Sequence, residues 1–399
     1  MKKPKSVVTY TLSHCVKCMK CIQACPVSAL RMEESRIHVN HDRCINCAKC
    51  ISTCHSKGLL AQGSTLHDLE NYDYTICMIP PALTCTCTSK EEAEELYYAI
   101  LQLGFDEVVD TSDVYGQALN ETLHMSDEFA NTSVISSFCP VVNRLIESKY
   151  PMLLDNLAPI NYPSEAAAMH LRETHQEKGN VGIFNLVECE AKLELAKYPY
   201  GNMQYETDHA LAIVDVLPEI RKHLKTGRLE ETFCLEGLQS CNANMVIAKP
   251  EYLIADGLDK VTNILDMAEF DMLNDFQLLY LFACFNGCTG GHLLFGNSYS
   301  YRNNVYPLTK ENKKPVSELS FEKIYSDSMT ITSEDQRSFK EKMDFFKKVN
   351  EQLEQLPGYD CSACGLQTCR IMAEEIALGH KKITDCQILK AARGDKDES

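Results

Sequence analysis

The sequence predicts an α/β protein of parallel sheets. A small α+β cysteine module precedes it and a second cysteine module follows. Three observations carry this reading. Residues 15–26, "CVKCMKCIQACP", recur as residues 44–55, "CINCAKCISTCH", both of the form C-x2-C-x2-C-x3-C. From about residue 72 strand and helix patterns alternate, the rhythm of parallel βαβ units. Near the C-terminus Cys361, Cys364, Cys369 and Cys386 stand at spacings of x2, x4 and x16.

The bulk numbers narrow the function. A chain of 399 residues can form two or three domains with real cores. Hydrophobic content of 45% and charged content of 24% describe a globular protein. No stretch approaches the ~18 apolar residues of a membrane span. No apolar segment precedes the first cysteine, so no signal peptide is expected and the expected compartment is the cytoplasm. There, 21 cysteines are too many for structural thiols, and a chain this long needs no disulfide staples. Their spacings point to metal. The formal charge of −17 argues against nucleic acid as the partner. Residues 1–60 carry +7 and the remainder −24. That fits a basic module on an acidic body; its functional counterpart is a docking face for an acidic redox carrier.

The elements follow in order. "YTICMIPP" reads as a buried strand, and "SKEEAEELYYAILQLG" as a helix with a serine start and a glycine stop. "DEVVDTS" is a strand, 113–128 a helix, and "TSVISSFC" a strand ending at Cys139. "PVVNRLIESKY" is a helix with proline at its first position. "NVGIFNLVEC" and "HALAIVDVL" (209–217) read as strands, and "PEIRKHLKTG" and "DGLDKVTNILDMAE" as helices. "FQLLYLFAC" (276–284) is a strand running into "FNGCTGG". Residues 296–330 look like loop. "SEDQ" at 333–336 is a capping box. It opens a helix whose apolar stripe is Phe339, Met343, Phe346, Val349, Leu353 and Leu356. Pro357-Gly358 ends it.

Iron–sulfur cubes need soft thiolates converging on one cluster. C-x2-C-x2-C places three on a tight loop, and the fourth comes from the other repeat because the chain returns antiparallel. Cys15, Cys18, Cys21 and Cys54 are therefore expected to hold one [4Fe–4S] cluster. Cys44, Cys47, Cys50 and Cys25 hold another. Pro26 follows the first set; His55 stands there in the second. Cys361, Cys364, Cys369 and Cys386 form a third candidate, with Gly365 giving the backbone freedom to wrap a cluster. Zinc is the rival reading, more serious for this last set. Three further strand ends carry thiols: "SSFCP" (Cys139), "VECEAK" (Cys189) and "FACFNGCTGG" (Cys284, Cys288). Carboxyl ends of parallel strands are where α/β proteins build sites, and four ligands make one further cube. Cys77, Cys85, Cys87, Cys234 and Cys241 read as packing.

These motifs give a resemblance. The chain resembles an [FeFe]-hydrogenase large subunit with an N-terminal 2[4Fe–4S] ferredoxin domain. Its last module resembles the small four-cysteine [4Fe–4S] domain of corrinoid iron–sulfur proteins. "SSFCP", "VECEAK" and "ACFNGCTGG" stand in the order of the family's three cluster motifs. "VVNRLIESKYPMLLDNLAP" and "LGFDEVVD" are also similar. The resemblance implies a two-lobed hydrogenase-like α/β domain at 72–305, with lobes of about 72–160 and 178–305. It lies between a ferredoxin-like domain at 1–62, and an amphipathic helix at 333–356 with an iron–sulfur domain at 357–390. It implies that Cys139, Cys189, Cys284 and Cys288 hold a cube, with Cys288 bridging to a two-iron group. Lys192 would hydrogen-bond a cyanide of that group.

Departures qualify the activity. The family's proton-shuttling cysteine is replaced by Phe138, its Met-Pro by Val187-Glu188, and its relay glutamate by Leu195. Loss of a general acid–base group costs ~10²–10⁴ in rate. The resemblance thus implies a redox protein with up to four [4Fe–4S] clusters. It would react with H2 slowly or as a sensor if the two-iron group is present. The alternative is a non-catalytic electron carrier. In either case a redox protein is the expected partner: a ferredoxin, a flavoprotein or another oxidoreductase subunit.

Overall fold

The computed structural model describes residues 6–128, 133–195, 206–242, 249–310, 314 and 338–397. The chain divides into two compact units. One joins residues 1–62 to 331–399, and the other spans 63–330.

In the first unit, β1 (Val8–Tyr10) is followed by the one-turn helix α1 (Lys20–Gln23) and the hairpin β2 (Leu30–Glu33) and β3 (Arg36–Val39). A second one-turn helix, α2 (Lys49–Ser52), leads to β4 (Leu59–Ala61), which returns antiparallel to β1. The sequence repeat is thus a structural repeat. Ile22, Leu30, Ile37 and Leu59 form the small core between the halves.

The second unit begins with β5 (Tyr74–Ile79), α3 (Pro81–Thr84) and α4 (Lys90–Leu101). The Ser89 hydroxyl caps α4 by accepting from the Glu92 amide. Next come β6 (Glu107–Asp110), α5 (Ser112–Glu128), β7 (Val134–Ile135), α6 (Pro140–Lys149), α7 (Pro163–Thr174), β8 (Val181–Val187) and α8 (Glu190–Leu195). Then follow β9 (His209–Ala212), α9 (Ile213–His223), α10 (Leu235–Ser240), β10 (Tyr252–Asp256), α11 (Leu258–Glu269), β11 (Leu278–Phe282) and α12 (Ser298–Lys310). The strands form two all-parallel sheets, in orders β6-β5-β8-β9 and β10-β11-β7. β5, β8 and β11 read as near-continuous apolar runs because both faces are covered.

The sheets do not follow the expected lobe boundaries. β7, early in the chain, pairs with β11, while β8 and β9 complete the sheet of β5 and β6. The strand expected to reach Cys139 stops at Ile135, where β7 runs out of its pairing with Leu278 and Leu279. The strand expected over 209–217 ends at Ala212. Its partner β8 ends opposite it at Val187, and the apolar run turns into α9. Residues 298–310, expected as loop, are α12.

Back in the first unit, α13 (Phe339–Leu353) starts from a capping box of Ser338 and Glu341. The expected box at 333–336 lies outside the described residues. The buried face differs in part from the expected stripe. Val349 and Leu356 are buried with Phe345 and Leu353 beside them, but Met343 and Phe346 are 43% and 48% exposed. α14 (Cys369–Ala377) and α15 (Gln387–Asp397) complete the unit.

One close approach tests the packing of the second unit. A Cβ added at Gly237 on α10 would overlap the backbone of Ser112 at the start of α5. Backbone cannot yield as a flexible side chain does. Gly237→Ala is expected to lower unfolding free energy by about 1–3 kcal/mol, the cost of overpacking, read as a lower urea midpoint.

Candidate iron–sulfur sites

The repeat builds two equivalent cradles. Lys17 and Asn46 have φ of 56° and 50°, Met19 and Ala48 have 60° and 58°, and Ser28 and Lys57 have 53° and 55°. Non-glycine residues rarely adopt this left-handed conformation. Here three pairs do so at matching places in the repeat. Successive amides in such turns can point at one centre. The Lys17 amide donates to Cys15 Sγ at 3.4 Å, Ala29 to Cys25 Sγ at 3.1 Å and Gly58 to Cys54 Sγ at 3.2 Å.

The thiols of these modules line three cavities. Cys15, Cys18, Cys21 and Cys54 line one cavity. Cys25, Cys44, Cys47 and Cys50 line a second. Cys361, Cys364, Cys369 and Cys386 line a third. Burial pushes the Cys21 thiol up to about 11, and the neighbouring Cys54, Cys18 and Cys15 add to the rise. Burial also raises Cys50, with Cys47, Cys44 and Cys25 adding to it. At Cys54 burial raises the thiol, but the Ser56 hydroxyl and the Leu59, Gly58 and Ser56 amides outweigh it and lower the pKa. Among the described residues no three His, Cys, Asp or Glu side chains gather tightly enough to hold a single metal ion.

In the second unit the strand ends deliver the remaining four thiols. Cys139 follows β7 and is the residue before Pro140 of α6, Cys189 follows β8, and Cys284 and Cys288 follow β11. One sheet thus supplies Cys189 and the other supplies the rest. Cys139 is buried, and the others are partly buried. Burial raises Cys284, and the charges of Cys189 and Cys139 raise it further. Burial raises Cys139, against the pull of the Ala283, Val142 and Val141 amides. Cys288 is raised by burial, eased by Lys192, and raised again by Glu188, Cys241 and Cys139. The four therefore share one electrostatic neighbourhood, and their donor set fits a [4Fe–4S] cube.

Lys192 stands beside this set but is already engaged. Its ammonium donates to Glu188 Oε1 at 2.6 Å and to the Tyr115 hydroxyl at 3.1 Å. Glu188 is fully buried, and its Oε2 has no hydrogen-bond partner. Phe138 is buried, its ring 5.5 Å from that of Tyr280 and 6.4 Å from that of Tyr115. Leu195 is buried against Tyr162. Two of the three Lys192 ammonium hydrogens are therefore taken up within the protein, and the Phe138 ring carries no proton to transfer.

The sequence reading missed a thiol pair. Cys85 and Cys241, read as packing, lie with their sulfurs 3.7 Å apart, both buried. The Cys288 amide donates to the Cys241 carbonyl at 2.7 Å. The two residues are 156 positions apart, so no spacing could signal them. Tyr115 and Tyr280 were likewise silent, being ordinary aromatic positions of a helix and a strand.

Comparison with known families agrees with this layout. Residues 8–55 match the family model for a 4Fe-4S dicluster domain. Residues 356–388 match that for a putative Fe-S cluster. The chain is therefore an iron–sulfur protein with a ferredoxin-like front. Residues 73–223 match the C-terminal domain of the iron only hydrogenase large subunit, so its body is hydrogenase-like. Among solved structures, an [FeFe]-hydrogenase studied for oxygen inactivation of its H cluster is similar, at TM-score 0.48 and 15% identity. A variant of the [FeFe]-hydrogenase HydA1 from Chlamydomonas reinhardtii gives the same values. Each alignment covers 62% of this chain and 87% of the other. No curated protein matches the chain. Among the described residues no helix is long and apolar enough to cross a membrane.

The buried Lys192–Glu188 pair gives a stability test. Removing one partner leaves an uncompensated buried charge, at a cost of about 3–5 kcal/mol. Lys192→Met is expected to lose that much, and Lys192→Met with Glu188→Leu to recover most of it. Urea denaturation of both variants measures this.

Proposed function

We propose that the chain is an electron-transfer protein carrying four [4Fe–4S] clusters on a hydrogenase-like scaffold. One observation carries the reading: sixteen cysteines fall into four sets of four, three of which each line their own cavity. Bound clusters would supply one-electron chemistry. The protein's part is to hold the thiolates, exclude water and aim amides at the sulfurs, which tunes the potential. Its partner would be another redox protein in a reducing cytoplasm: a ferredoxin, a flavoprotein or an oxidoreductase subunit. The engagement of Lys192 by Glu188 and the apolar Phe138 and Leu195 support transfer without turnover of H2.

A second reading, slow or sensory reaction with H2, is supported by the nearness of Lys192 to Cys288. Infrared bands of iron-bound CO and cyanide, after maturation with a two-iron precursor, would favour it. Their absence would favour pure electron transfer.

Anaerobic reconstitution is expected to load about sixteen irons per chain, four at each four-thiolate site. A value near eight by iron and sulfide analysis, with zinc in the other sites, would remove the two later assignments. Cys189→Ala should remove one cluster and leave the N-terminal pair intact in electron paramagnetic resonance. Unchanged cluster content would return Cys189 to packing. Should the matured protein show the infrared bands, Phe138→Cys restores a proton carrier. It is then expected to raise H2 turnover at least ~10-fold, a modest share of a general acid's contribution. An unchanged rate in a protein with bands would show that proton delivery is limited elsewhere.

A further inference from the structure

The last cysteine module is fastened to the ferredoxin-like module through the side chains of Gln23, Ser28 and Gln367, none of them a cysteine. The Gln367 side-chain amide donates to the Cys25 carbonyl at 2.6 Å and to the Gln23 carbonyl at 3.2 Å. Its oxygen accepts from the Ser28 hydroxyl. In return Gln23 Nε2 donates to the Cys361 carbonyl at 3.2 Å. A backbone bond closes the contact, from the Met32 amide to the Gly365 carbonyl at 2.8 Å. Gly365 has φ of 86°, and a Cβ there would come within 2.5 Å of the Met32 carbonyl oxygen. The glycine therefore serves this contact as well as its own turn.

All of these bonds fall on the segment from Gln23 to Met32, which closes the first repeat and runs into β2. Cys25 lies in it and lines the second cavity. On the other side, Gln367 lies two positions before Cys369, and Cys361 and Cys369 line the third cavity. One glutamine side chain thus bonds directly to a lining cysteine of one site, and only Thr368 separates it from a lining cysteine of the next. Electron tunnelling between clusters depends on a short, fixed separation and on the bonded path between them.

We propose that Gln367 is a positioning residue that couples the C-terminal cluster to the cluster of Cys25, Cys44, Cys47 and Cys50, making them consecutive steps of one electron path. This rests on the four-cluster reading above. Met32 also lines the cavity of Cys15, Cys18, Cys21 and Cys54. Coupling through that cluster instead is the competing outcome.

The test uses the full chain, reconstituted anaerobically, fully reduced with dithionite and examined by electron paramagnetic resonance with iron analysis. In the Cys18→Ala chain the C-terminal signal should stay broadened by a magnetic neighbour. In the Cys47→Ala chain it should sharpen to that of an isolated cluster. Gln367→Leu, with iron content unchanged, should lose the broadening. The reverse pattern, sharpening in Cys18→Ala only, overturns the proposal. So does a C-terminal signal that is isolated in the wild-type chain, or broadening that survives in an iron-replete Gln367→Leu protein. Should Gln367→Leu fail to fold, the two cysteine variants still decide which cluster is the neighbour. A C-terminal module that takes up zinc and no iron overturns the four-cluster reading and this inference with it. Iron without coupling overturns the inference alone.

Discussion

Thiolates crowded around one cavity repel one another, and the rest of the molecule is arranged around the remedy. Neighbouring cysteines and burial together hold Cys21, Cys50, Cys284 and Cys288 toward the protonated form. Only a positive core reverses that balance, since a coordinating thiol is deprotonated outright by its metal. Much of the local structure can be read as support for that reversal. Amides face Cys15, Cys25 and Cys54, and a helix N-terminus faces Cys139. Lys192 eases Cys288.

The body applies the same logic with different parts. Two parallel sheets bring their carboxyl ends together, so cysteines far apart in the chain share one neighbourhood. Crossing of strands between the sheets makes this possible. β7 leaves the early part of the chain to pair with β11, and Cys139 arrives beside Cys284. Glu188 neutralises Lys192 within the protein, so this site carries less positive field than the lysine alone would give.

What could be read from the sequence was local or repeated. The doubled cysteine spacing suggests how eight thiols divide between two cavities, because a tight loop can supply three thiols and must borrow the fourth. β5, β8 and β11 were legible because burial on both faces leaves unbroken apolar runs. The misreadings lie where tertiary pairing decides. Nothing in "HALAIVDVL" says that β8 ends at Val187 and leaves residues after Ala212 without a ladder. Nothing in the α13 pattern says that Phe345 turns inward while Phe346 stays exposed. The Lys192–Glu188 pair has ordinary helical spacing; its burial comes from Tyr115 and from the strands around it.

The left-handed residues of the repeat bear on the life of the protein in a cell. Each such turn costs a side-chain-bearing residue about 1–2 kcal/mol, and the repeat holds six of them in matched pairs. Metal–thiolate bonding is folding free energy for small modules of this kind, so iron is what makes that backbone tolerable. A chain starved of iron would present its first sixty or so residues to proteases as a loose, basic segment. Abundance of the intact protein would then follow the iron and sulfide supply, through quality control acting on an unfinished fold.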